Sequence, residues 1–271
     1  MERFFKFIPH RHFLLSLDKR QRFALQTIIL TFGLLITQLI WEDYRFGMVV
    51  ILSIISYLLT AWSLSEDIKG TEWFLLFILP VFFTASVSLF YFLLPGRWIT
   101  RLLTTAVFAV GTYATLLAEN IYNVAAARSI QLLRVAQSVG LLITLIVVFL
   151  LVSIIFSTRS SFLVNMLFLT PLVFILSLQS VWSVKLTPAI SREIVIYAFV
   201  ISISIGEMAA VLSFWPIQMA TVSLFITAGF YTLVGIVQQH LLEKLFANTI
   251  REYILAFIFT FVLSFLITSW G

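Results

Sequence analysis

Nine long apolar runs, separated by short segments that carry charge, proline or glycine, dominate this sequence. They fall near residues 23 to 41, 46 to 63, 73 to 94, 102 to 118, 139 to 157, 162 to 184, 194 to 214, 217 to 239 and 253 to 270. A helix of about 20 apolar residues crosses a bilayer core about 30 Å thick. Strands are excluded, because single strands leave backbone groups unpaired in lipid and the alternation of a barrel is missing. The sequence predicts an all-α membrane protein, a polytopic bundle of about nine transmembrane helices.

Composition supports this fold class and narrows the function. Only 11% of the 271 residues are charged, against about 25% in soluble domains. The spans use most of the chain, so no room is left for a soluble catalytic domain. The net charge of +5 comes from residues that flank apolar runs, which indicates contact with membrane lipids and not with nucleic acid. The chain has no cysteine, which excludes thiolate metal sites, and we predict neither a metal nor a cofactor.

The distribution of basic residues predicts the orientation. With the N-terminus in the cytoplasm, 13 of the 17 Lys and Arg residues lie on the cytoplasmic side, as the positive-inside rule requires. The four on the outer side are Arg45, Arg97, Arg101 and Arg159. An odd number of spans then places the C-terminus outside.

Two segments differ from the spans. Residues 1–22 form a basic cytoplasmic or interfacial N-terminal segment, either a short helix on anionic headgroups or a disordered tail. Residues 23–271 form a single transmembrane helical domain. Within it, residues 119–138 contain neither Gly nor Pro and show helical periodicity, which predicts a projecting helical hairpin or an interfacial helix.

Glu207 is the only charged side chain predicted to lie well inside a span. An acidic residue at depth faces the bundle interior, a cavity or a partner, so Glu207 is either functional or fastens helices together. Tyr197 and Ser204 are expected on roughly the same side of the helix. A stripe of small residues, Ser202, Gly206 and Ala210, predicts close packing against a neighbouring helix.

A second polar group follows the fourth span. Glu119, Asn120 and Asn123 precede Arg128 and Arg134, and an acid, two amides and two guanidinium groups could bind a headgroup or a phosphate. The alternative is that they are ordinary interfacial polar residues.

Pro80 and Pro171 lie near the middle of the third and sixth spans. Broken helices of this kind form substrate sites in some carriers, and the alternative is a simple kink. The flanking residues repeat at a spacing of 91, which would fit an inverted repeat: Leu76, Phe77, Pro80, Phe83 and Ser86 against Leu167, Phe168, Pro171, Phe174 and Ser177.

The run ENIYNVAAARSIQLLRVAQSVGLLIT, residues 119–144, resembles a segment of uncharacterised multi-spanning membrane proteins from candidate-phyla bacteria. The resemblance implies a bacterial cytoplasmic membrane and no assigned function, and it brings no site residues.

Three functions remain open. The first is a carrier or permeation protein for a small or lipidic solute. The second is a non-catalytic membrane scaffold or accessory subunit with partner transmembrane subunits or a second copy. The third is an enzyme acting on lipid-linked substrates, which is disfavoured because no hydrolase, nucleotide-binding or metalloprotease motif occurs.

Overall fold

The computed structural model describes residues 17–39, 44–65, 72–125, 132–187 and 189–268. Within these ranges it contains nine α-helices, each long and apolar enough to cross a membrane. They are α1 Lys19–Leu39, α2 Arg45–Leu64, α3 Glu72–Tyr91, α4 Trp98–Ala125, α5 Leu133–Ser157, α6 Phe162–Lys185, α7 Arg192–Leu212, α8 Met219–Leu241 and α9 Ala247–Ile267. The predicted fold class and number of spans are confirmed for the described residues.

The fourth and fifth helices continue beyond their predicted spans into residues 119–138, where helical periodicity predicted a projecting hairpin or an interfacial helix. The fourth continues for seven residues beyond the predicted end at residue 118, and the fifth begins six residues before the predicted start at 139. Polar residues in these extra turns are buried against other helices, as described below, so they do not end the helix as loop residues would. Glu119 consequently lies inside α4. The tip of the predicted hairpin, residues 126–131, lies outside the described residues, as do residues 1–16 of the N-terminal segment.

Successive helices alternate in direction, because short segments connect them. Near the start of α1, Gln26 contacts Thr60 and Ser63 near the end of α2. The end of the bundle that holds the start of α1 and the end of α2 is called the first end. At the opposite end, Asn165 at the start of α6 contacts Ser213 after α7.

The core lies around α3, which packs against α1, α2, α4, α5 and α6. Its side chains Leu75, Leu76 and Leu79 are at most 1% exposed. At the periphery, α9 packs on α8. Within Ala247–Ile267, Ser264 is the one residue of α9 that is buried. Among the described residues, the bundle therefore has a largely apolar interior around α3, and α9 is attached to it mainly through α8.

The predicted small-residue stripe is an interface between α6 and α7. A Cβ atom added to Gly206 would overlap Oγ1 of Thr170 and lie 3.5 Å from Cγ of Met166 on α6. Ser202 on the same stripe is buried. The absence of a side chain at Gly206 thus lets the two backbones approach closely.

The two prolines have different surroundings. Pro80 is buried within α3, and its carbonyl oxygen accepts hydrogen bonds from Ser56 (3.3 Å) and Thr84 (2.8 Å). Pro171 in α6 is exposed. The flanking positions differ too, since Leu76 is buried whereas Leu167 is 71% exposed. Burial therefore differs at these two pairs, whereas Ser86 and Ser177 are both buried, and the inverted repeat stays a prediction.

Candidate functional site

Glu207 lies on the side of α7 that faces α8 and α9. It is exposed and lines a cleft of about 490 Å³ together with Ser204 on the preceding turn. The rest of the lining is almost entirely apolar, and it includes Met208, Val211, Leu212, Trp215, Phe225, Leu233, Phe257 and Phe261. The orientation of Glu207 follows from Gly206. Because Gly206 faces α6, the next residue, about 100° further around the helix, points away from α6 and into this cleft.

Tyr197 does not join the cleft. It lies ten residues before Glu207 on α7, about 15 Å along the axis, and its ring packs against His240 at a centroid distance of 6.0 Å. Of the residues predicted to share a site with Glu207, the structure therefore brings Ser204 close and leaves Tyr197 at the first end of the bundle.

A second cavity, of about 620 Å³, lies at the opposite end between the α5–α6 and α7–α8 connections. Its lining is mixed, with Arg159, Ser157, Ser160 and Gln218 beside apolar residues. No acidic side chain occurs among the described residues that line it. Gln218 is also the N-cap residue of α8, so the partial positive charge of a helix N-terminus adds to the charge of Arg159. The cavity is therefore suited to a negatively charged group.

Asn165 lines this cavity and is 3% exposed. Its Nδ2 atom donates to Ser213 Oγ at 3.0 Å, whereas its Oδ1 atom has no hydrogen-bond donor among the described residues. An unpaired buried acceptor is costly, so a ligand with a donor group would improve this site.

The two cavities adjoin. Leu212 and Trp215 line both, and Glu207 precedes Leu212 by five residues, or about 8 Å along α7. Together they form a surface with a basic end at Arg159, an apolar length and the carboxyl group of Glu207, which we call the lateral cleft. Its chemistry suits an amphipathic molecule.

The polar group predicted around the end of the fourth span is divided. Glu119 and Asn123 are buried inside the bundle, Asn120 is half-buried and Arg134 is exposed. Arg128 lies outside the described residues. The described members thus do not line one surface pocket for a headgroup.

Glu119 instead belongs to a buried polar layer near the first end. Gln179 on α6 donates from Nε2 to Glu119 Oε1, and Asn123 donates from Nδ2 to the carbonyl oxygen of Leu64 at 3.3 Å. Tyr122 donates to the carbonyl oxygen of Ala136 at 2.9 Å. These bonds connect α4 to α6, α2 and α5.

Further amides extend the layer. Gln26 on α1 donates to Thr60 at 2.8 Å and accepts from Ser63 at 2.7 Å. Gln137 on α5 and Gln238 on α8 donate to backbone carbonyls of α6, at 3.0 and 2.9 Å. Sequence reasoning singled out Glu119, Asn123 and Gln179 but missed Gln26, Gln137 and Gln238. Each of these amides lies within about three turns of a helix end. This shared position along the helices is the signal in the sequence that could have indicated the layer.

No group of three or more His, Cys, Asp and Glu side chains that could hold a metal ion occurs among the described residues. The described polar groups can bind charge and donate or accept hydrogen bonds.

Comparison with known proteins identifies the family. The sequence profile of DUF5656, a protein family of unknown function, matches residues 46–267. The chain therefore belongs to this family, and the match covers α3 to α9 and all but the first residue of α2. Searches of curated proteins and of solved structures found no significant match.

Proposed function

We propose that this DUF5656 protein is a carrier for a lipidic solute, and that the solute binds in the lateral cleft. The observation that carries the proposal is the junction of the two cavities at Leu212 and Trp215. The mixed cavity takes an anionic headgroup, and the apolar cleft between α7, α8 and α9 takes the hydrocarbon part.

Charge and position support a phospholipid-like solute. Arg159 and the N-terminus of α8 attract a phosphate group. Both lie at the end of the helices, where phosphates occur in a bilayer. Glu207 lies about 8 Å further along α7, in the otherwise apolar part of the lateral cleft.

The peripheral helix α9 supplies a route for entry. It forms one wall of the cleft through Phe257 and Phe261 and packs on α8. A helix with so few buried residues can shift at lower cost than the core helices. A lipidic solute could therefore enter from the bilayer without crossing the core around α3.

Blocking the cleft tests the proposal. Val211 lines it and is 68% exposed, so Val211→Trp should fill the cleft without disturbing the core. The matched control is Val110→Trp on α4, which is 72% exposed and lines neither cavity. In nanodiscs that contain phosphatidylglycerol, native mass spectrometry should show at least fivefold less retained lipid for Val211→Trp and no change for the control.

The carrier activity needs a second assay, because binding alone is not transport. The protein in phosphatidylcholine vesicles should accelerate the transbilayer movement of a fluorescent phosphatidylglycerol. Val211→Trp and Arg159→Gln should slow the movement, whereas Arg97→Gln, an exposed arginine at the same end, should not. Retention of lipid without any movement would refute the carrier, and equal retention by Val211→Trp would refute the site.

A second candidate function, a non-catalytic membrane scaffold, is supported by α9. Phe259 and Leu266 are 68% and 74% exposed on this helix, and such a face can pack against another membrane protein. Because the chain has no cysteine, Phe259→Cys gives a single cross-linking site. Cross-linking between copies at Phe259→Cys but not at a Val110→Cys control would support a scaffold built from this chain. Equal cross-linking at both positions would contradict it.

A further inference from the structure

Three buried oxygen atoms in the polar layer have no hydrogen-bond donor among the described residues. They are Oε2 of Glu119, Oε1 of Gln179 and Oδ1 of Asn123. All three residues are at most 2% exposed. Most buried side-chain polar atoms in proteins are paired, so three unpaired acceptors in neighbouring side chains call for an explanation.

The side chains that carry the three oxygens are neighbours. Gln179 Nε2 donates to Glu119 Oε1, and Oε1 of the same amide group is therefore next to the carboxyl group. Asn123 follows Glu119 by one turn on the same face of α4, and such residues have Cβ atoms about 5 to 6 Å apart. The neighbouring hydroxyl of Tyr122 cannot serve as the donor, because it donates to Ala136.

A surplus of oxygen acceptors without donors is the chemistry of a cation site. Carboxylate and amide oxygens are the ligands that hard cations prefer. When Glu119 is ionised, its carboxylate and the two neutral amides balance a single positive charge, and the bound cation in turn favours the ionised carboxylate. A divalent ion would leave an uncompensated charge in a buried, weakly polarisable environment, which is costly.

We propose that Glu119, Gln179 and Asn123 form a binding site for a monovalent metal cation, with Na⁺ as the probe that tests it. The ion joins α4 and α6, which carry the three side chains. This site lies near the first end of the bundle, whereas the headgroup end of the lateral cleft lies at the opposite end. The proposal is therefore independent of the proposed function, and either can fail without the other.

Thermal unfolding of the full chain in nanodiscs measures the binding. Sodium chloride is compared with choline chloride at equal ionic strength, since choline, unlike Na⁺, is too large to enter a buried site of carboxyl and amide oxygens. A ligand that binds only the folded state stabilises it by mass action. At a concentration about ten times the Kd, Na⁺ should raise the Tm by about 3 to 6 °C.

Variants locate the effect. Glu119→Gln should abolish the difference between Na⁺ and choline, whereas Glu207→Gln, the matched change at the exposed carboxyl group, should preserve it. If Glu119→Gln does not fold, the assay uses the variant Asn123→Ala in its place. Asn123→Ala should raise the Na⁺ concentration at half-maximal stabilisation at least threefold. An equal Tm in Na⁺ and choline for the unmodified protein overturns the site. So does a Na⁺ effect that survives Glu119→Gln, or an unchanged midpoint in Asn123→Ala.

Discussion

The contact between α6 and α7 at Gly206 gives a prediction whose magnitude follows from the structure. The change is Gly206→Ala. Its new Cβ atom would overlap Oγ1 of Thr170 and lie 3.4 Å from Thr170 Cβ. Thr170 cannot simply turn away, because its hydroxyl donates to the carbonyl oxygen of Met166 at 2.8 Å. The new Cβ atom therefore breaks this hydrogen bond, and the remaining overlap pushes the helices apart.

Two terms of opposite sign decide the result. Replacing Gly by Ala within a helix stabilises it by about 1 kcal/mol. Overpacking costs about 1 to 3 kcal/mol, and loss of the Thr170 hydrogen bond adds about 1 kcal/mol. A control separates these terms. Gly47 in α2 has no atom within 4 Å of an added Cβ. Gly47→Ala therefore includes the gain in helix stability but no steric overlap. We expect Gly206→Ala to be about 2 to 4 kcal/mol less stable than Gly47→Ala.

Reversible unfolding in mixed micelles measures the difference, and a double-mutant cycle identifies its cause. Thr170→Ala removes the overlapping hydroxyl, so the pair Gly206→Ala with Thr170→Ala should recover at least 1 kcal/mol relative to the sum of the single changes. Equal stabilities of Gly206→Ala and Gly47→Ala would refute the close packing, and an additive cycle would refute the contact with Thr170. Because Gly206 also sets the direction of Glu207, Gly206→Ala should retain less lipid in the lateral cleft.

Two further substitutions test the polar groups in the bundle. Gln26→Leu should destabilise the protein by about 1 to 3 kcal/mol, because the buried hydroxyl of Ser63 loses its acceptor. Unfolding in mixed micelles measures the change in stability. An unchanged stability would show that this hydrogen bond of the polar layer does not stabilise the fold. Glu207→Gln should change stability by no more than about 0.5 kcal/mol, because Glu207 is exposed in the cleft; a collapse of the fold at every pH from about 5 to 9 would instead make Glu207 a helix fastener.

The two acidic residues show where sequence reasoning stops. Glu207 was predicted inside a span and Glu119 beside one, yet Glu119 is the fully buried residue and Glu207 is exposed. Position along a helix can be counted from the sequence. The rotation of a helix about its axis depends on which neighbouring helix packs against each of its faces. The rotation of α7 is set by the close contact between its Gly206 and Thr170 of α6.

The lateral cleft was likewise beyond the sequence. Its lining comes from four segments of the chain, and Arg159, Asn165 and Gln218 lie in parts of the sequence without a recognisable motif. Ser204 could be grouped with Glu207 because the two are one turn apart on α7. Tyr197 was grouped with them because it was expected on roughly the same side of α7, but ten residues of helix separate it from Glu207.

The sequence by itself determined that the chain forms helices long enough to cross a membrane. Hydropathy over about 20 residues is a local property, and backbone hydrogen bonding in lipid leaves few alternatives. Only the tertiary structure decided where the polar groups lie. Partners such as Glu119 and Gln179 are 60 residues apart, and a polar side chain near a helix end can face water, headgroups or the core equally well until its neighbouring helices are in place.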